Sequence, residues 1–120
     1  MVHPGPRAAE RLRAVRARLA PVSGVLRAGE TVMAGVARVF AEAGCRGGMV
    51  FLDDVSCAPL RYVLPALSSD GVHAAWYSGT HALENALILR ATASVGTRDG
   101  AAFLHCHGLW QAGRAPVAMG

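Results

Sequence analysis

The longest extended stretch in the chain, Ala86 to Val95, constrains its fold more than any other segment. It is mostly apolar, holds no glycine or proline, and reads as a strand. The turn signal Arg98-Asp99-Gly100 follows it and leads into a second strand, Ala102–Leu109. A connection this short joins antiparallel neighbours, because a parallel crossover needs a dozen or more residues. Further strands are expected at Met49–Leu52, at Leu60–Leu64 before Pro65, and at Val72–Tyr77 after the turn Ser68-Ser69-Asp70-Gly71. Met49-Val50-Phe51-Leu52 is a continuous apolar run that fits a buried strand, with Asp53-Asp54 marking its end. A short strand fits residues 25–28, and Val117 begins another segment after the turn Ala112-Gly113-Arg114.

Two segments have helical spacing instead. In residues 30–43, Val32, Val36, Val39, Phe40 and Ala43 recur on one side, and Gly44 suits the position just past a helix end. In residues 7–20, Ala8, Leu12, Val15 and Leu19 form a stripe flanked by arginines, ended by Pro21 and Gly24. The expected class is therefore α+β: a mainly antiparallel central sheet with flanking helices, preceded by a basic N-terminal helix. The boundary falls between a basic segment, 1–24, and a domain, 25–120.

Composition limits the core. The chain has 120 residues, 52% hydrophobic but only 6% aromatic, so its apolar content is largely Ala, Gly and Val. Small side chains each bury little area, and a partner subunit would help such a domain. All twelve basic residues are arginine. Arg7, Arg11, Arg13, Arg16 and Arg18 stand against Glu10 in the first twenty residues, while the remaining seven arginines face seven acids. The whole formal charge of +4 thus sits on the N-terminal segment. The neutral body argues against a nucleic-acid groove there, leaving those five arginines as the candidate contact to nucleic acid or another acidic partner. Cys45, Cys57 and Cys106 are odd in number and show no Cys-x-x-Cys spacing. With no apolar run of signal-peptide or membrane length, the sequence reads as cytoplasmic, with reduced thiols and no membrane partner.

The residues that most invite a chemical role are His105 and His107. Two apart on a strand, they project from one face, while Cys106 points to the other. Neutral imidazoles are common ligands for zinc and similar divalent ions, although a stable zinc site takes three or four ligands. His81 could supply a third ligand or cap the next element. His73 reads as a plain polar strand position, and Asp53-Asp54 as solvated turn residues. No nucleophile signature, P-loop or Gly-x-Gly-x-x-Gly is present.

The order of pieces then takes on a recognisable form. Gly29-Glu30 precedes an amphipathic helix, a Gly-rich break and an apolar strand. Later a long strand ends in Gly96, followed by Asp99-Gly100-Ala101-Ala102-Phe103-Leu104-His105-Cys106-His107. Over about residues 25–120 this resembles the PPC domain family (plant and prokaryote conserved domain, DUF296), whose hallmark is a Gly-x-x-x-Gly-x-Pro-x-x-His-x-His segment. Ala102 stands where that family often has proline. The resemblance implies an antiparallel α+β domain, usually a homotrimer, in which the two histidines and a later Gly-His histidine gather a zinc ion. His105 and His107 match the first two, and the third would fall beyond Gly120, so the domain is expected to be incomplete at that end. The plant members' Arg-Gly-Arg-Pro DNA hook has no counterpart in Ala112-Gly113-Arg114-Ala115-Pro116.

Two functions follow as expectations. The first is a non-enzymatic oligomeric module that binds a divalent metal or small ligand through His105 and His107, with a link to DNA binding or gene regulation. The second is a metal-dependent enzyme using the same histidines, with Asp99 or a nearby Glu moving a proton.

Overall fold

A computed structural model of the chain describes residues 9, 10, 12, 14–73 and 76–120. Its elements are helix α1 (Val32–Glu42) and strands β1 (Gly48–Cys57), β2 (Leu60–Tyr62), β3 (Pro65–Ala66), β4 (Trp76–Tyr77), β5 (His81–Leu83), β6 (Ala86–Arg98), β7 (Ala101–Gln111) and β8 (Ala118–Met119). The architecture is α+β and antiparallel throughout, with β1-β6-β7-β8 forming one four-stranded sheet.

The β6–β7 hairpin is the spine. Arg98 pairs with Ala101, leaving Asp99 (φ 53°) and Gly100 (φ 78°) as a two-residue loop. Both central residues at positive φ make the tight hairpin turn whose twist matches the flanking strands, and Asp-Gly is a preferred pair for it. Between β1 and β6 the chain runs out and back as a long ribbon. The pairing Gly48↔Val95 through Cys57↔Ala86 resumes in step as Leu60↔Leu83 to Tyr62↔His81. It slips by one residue at Pro65↔Tyr77. Pro59, lacking an N–H, sits in the gap between β1 and β2.

One irregularity decides which side chains face inward. Leu89 is an extra residue on β6, since Ile88 pairs with Trp110 but Arg90 with Leu109. Opposite it on β1, Asp54 takes φ 55° between the Asp53↔Arg90 and Val55↔Ile88 pairs. A bulge of this kind shifts the strand's alternation by one. Ala86 and Ile88 are buried before it, Ala91 and Ala93 after it; on β1 the inward set is Val50 and Leu52, then Val55 and Cys57. The strand therefore continues through Asp53-Asp54 instead of ending there. Met49 and Phe51 alternate outward, so the apolar run is half-buried, not buried, with Phe51 71% exposed.

Helix α1 closes the inner face. Thr31 caps its start, with Oγ1 accepting from the Ala34 amide at 3.1 Å. At its end Gly44 (φ 67°) donates to Ala41 O and Cys45 donates to Phe40 O, a Schellman ending. Val36 is buried against Leu52, Ile88, Ala91 and Trp110, with Val32 and Phe40 alongside. Leu26 also packs there, and Arg38 ties the incoming segment down through Val25 O (2.9 Å) and Glu30 (2.8 Å). The expected strand at 25–28 is absent for that reason: this stretch lies along the helix, with Gly24 against Val39.

Two other expectations are corrected. Among the described residues α1 is the only helix, so the sheet has one flanking helix rather than several. The expected helix at 7–20 is not formed where residues 9, 10, 12 and 14–20 are described; Arg7, Ala8, Arg11 and Arg13 lie outside them. Leu12, Val15 and Leu19 are all exposed, packed against none of the described residues. A fourteen-residue helix with no packed face is marginal in water, and its clustered arginines repel. Likewise only Trp76–Tyr77 of the expected strand 72–77 is regular, with Ala74 and Ala75 outside the described residues.

Candidate metal centre on the outer sheet face

The outer face of the sheet is built in rows by the register. Met49, Ser94 and His105 align across β1, β6 and β7; Phe51, Thr92 and His107 form the next row. Asp53, Arg90 and Leu109 form a third. Among the described residues no helix packs on this side, and Met49, Phe51, Phe103 and Leu109 remain exposed.

His105 and His107 stand on β7 as the strand alternation requires, and their rings meet. The two Nε2 atoms are 2.9 Å apart, with ring centroids 4.8 Å apart and planes nearly perpendicular. Without an ion, one Nε2–H donates to the other's lone pair, so the two tautomers are complementary. The same geometry suits a shared ion. Two zinc–nitrogen bonds of 2.0–2.1 Å drawn from atoms 2.9 Å apart subtend about 90°, and widening the gap by roughly 0.4 Å reaches the tetrahedral angle. The donor set therefore fits a borderline divalent ion as a two-histidine chelate.

The other sequence candidates do not join this pair. Among the described residues no group of three or more His, Cys, Asp or Glu side chains gathers in one place. His81 begins β5 rather than sitting in a loop, and stacks on Tyr62. His73 lies at the ribbon tip, where Asp70 accepts from its ring and from its backbone amide. Those donors, with Ser68, hold the Asp70 carboxyl far below the usual carboxylate range. Asp53 pairs with Arg90 at 3.0 Å. Asp99 sits at the β6–β7 turn beside Arg98. It lies five residues beyond Ser94, His105's partner, or roughly 17 Å along the strand. Cys106 faces the other side, as expected; although the residue is exposed, partial desolvation pushes its thiol up, as it does that of the half-buried Cys57. All three cysteines are unpaired.

Sequence reading missed the apolar rim of this face, formed by Met49, Phe51, Phe103 and Leu109. Its signal was present in the alternation of Met49-Val50-Phe51-Leu52, but a run apolar on both faces hides which face is covered.

No helix among the described residues is long and apolar enough to cross a membrane. Comparison of the chain with protein-family models, with characterised proteins and with solved structures finds no match.

Proposed function

We propose that the protein is a non-enzymatic, oligomeric binding module that holds a divalent metal ion, zinc or one like it, through His105 and His107. The observation that carries this reading is the approach of the two Nε2 atoms to 2.9 Å on an open sheet face. The resemblance to the PPC domain supports it through the same two histidines. A bound ion would supply Lewis acidity and open coordination positions for water or a small ligand's donor atoms. Among the described residues nothing beside the pair is placed to move protons, since Asp99 is at the strand's far end and Asp53 is engaged by Arg90. That favours binding over the alternative, a metal-dependent enzyme using the same histidines.

The oligomeric part of the reading rests on surface. Met49, Phe51, Phe103 and Leu109 leave an exposed apolar rim beside the histidine pair, the kind of patch a second subunit covers. Residues 1–20 carry the entire net charge and would serve a link to DNA; such binding falls steeply with salt and disappears when they are deleted.

Metal analysis of protein purified without chelator tests the proposal. Bound divalent metal in the wild type, lost in His105→Ala and in His107→Ala, is the expected result. Metal retained by both variants would place the site elsewhere.

A further inference from the structure

Met49, Ser94 and His105 share one row of the outer face on three neighbouring strands. Paired strands lie about 4.8 Å apart, so Met49 and His105 start roughly 10 Å apart at the backbone. The Ser94 hydroxyl donates to the Met49 Sδ at 3.6 Å. That contact brings the thioether toward the middle strand, on the side from which His105 projects. One strand further on, the Nε2 atoms of His105 and His107 converge at 2.9 Å. Methionine is unbranched, with rotatable bonds and a polarizable sulfur that adapt to a nearby partner. Met49 is 61% exposed, so packing leaves it free to swing toward the histidines.

The donors in this row are uncharged. Asp53, in the third row, is engaged by Arg90 at 3.0 Å, and among the described residues no carboxylate joins the histidines. A neutral donor set leaves a dication's charge uncompensated beside the apolar Phe51 and Phe103, whereas a singly charged ion costs far less to take out of water. Thioether sulfur is a soft donor that selects copper(I), and imidazole serves copper as well as zinc. Zinc in structural sites is almost always four-coordinate; copper(I) is also stable with three ligands. We infer that the Met49 thioether is a third donor beside His105 and His107, and that the site takes copper(I) in preference to zinc. This rests on the reading of the two histidines as a metal-binding pair and adds to it a sulfur ligand and a preferred ion.

Competition with bathocuproine, without oxygen and with ascorbate present, measures copper(I) affinity; competition with a chromophoric zinc chelator measures zinc. The wild type should bind copper(I) more tightly than zinc. Met49→Leu keeps the volume and apolar character of an exposed side chain, so its metal-free melting temperature should match the wild type. Loss of a ligand's hydrogen-bond partner alone lowers metal affinity about 10–100-fold, so loss of a donor should weaken copper(I) binding by about tenfold or more. Zinc binding by Met49→Leu should stay as in the wild type. The copper X-ray absorption spectrum should contain a sulfur neighbour in the wild type and in Cys106→Ser, and none in Met49→Leu. Unchanged copper(I) affinity in Met49→Leu, equal losses of both ions there, or a wild type that prefers zinc would overturn the inference and leave the histidine pair standing. Binding of both ions undiminished in His105→Ala would overturn the histidine assignment with it.

Discussion

Gly108 lies one residue past His107 on β7 and pairs with Ala91 on β6. A Cβ placed there would stand 2.8 Å from the Ala91 Cβ and 3.2 Å from the Arg90 carbonyl oxygen. Carbon atoms pack best at about 3.5–4.0 Å, so Gly108→Ala must part the strands by roughly 0.7 Å or more at the pair that anchors the inner face. Overpacking of this kind costs about 1–3 kcal/mol. The smaller entropy of an unfolded alanine returns about 0.4–1 kcal/mol of it. A net loss of about 1–2 kcal/mol is expected. Unfolding entropy of about 2.1 cal/mol/K per residue converts that to a Tm lower by about 4–8 °C. Thermal unfolding followed by circular dichroism measures it. Adding Ala91→Gly removes the opposing methyl group and should restore part of the loss, whereas Gly96→Ala, with no atom within 4 Å of its Cβ position, should be neutral or slightly stabilising. If Gly108→Ala matches the wild type, or Ala91→Gly gives no rescue in its background, the close approach of β6 and β7 is wrong.

Two further outcomes follow from the core and the helix anchor. Trp110 is buried and packs on Tyr62 with ring centroids 4.5 Å apart; Trp110→Ala should destabilise by about 3–5 kcal/mol, seen as a Tm drop of about 12–20 °C. The Arg38 guanidinium, with the Arg27 amide, holds the Glu30 carboxyl down at about 2 from its ordinary 4.5. A depressed folded-state pKa gives stability that is present above pH 4.5 and lost as pH falls toward 2. Glu30→Gln should therefore lower stability at neutral pH and flatten the decline across that window in acid-unfolding titrations; an unchanged decline would remove Glu30 from the account.

Much of this architecture is legible in local residue patterns. Asp99-Gly100 marks the β6–β7 hairpin, and the two positive-φ positions it demands are what the structure contains. Val32, Val36 and Phe40 with Gly44 place α1 to within two residues at its start and one at its end. His105 and His107 are assigned to one face by strand alternation alone. What local pattern could not give is long-range. The bulge at Leu89 and Asp54 depends on three strands meeting, so Asp53-Asp54 reads as an end when it is a turnover of faces. The stripe of Leu12, Val15 and Leu19 has helical spacing but no docking surface, and periodicity does not reveal a missing partner. The separation of His81 from the histidine pair likewise follows from long-range packing: His81 stacks on Tyr62, which lies against the buried Trp110, whereas His105 and His107 project from the other face of β7, and no spacing in the sequence encodes that.

The most direct test of the central claim is the melting temperature of the protein with and without zinc. An ion bound only by the folded state stabilises by about 2.7 kcal/mol at a hundred times its dissociation constant, a rise of about 11 °C for a chain of this length. The wild type should show a saturable rise of this kind, absent in His105→Ala and in His107→Ala. A melting temperature indifferent to zinc and to other divalent ions in the wild type, or a rise that survives both substitutions, would contradict the assignment of His105 and His107 as the metal-binding pair.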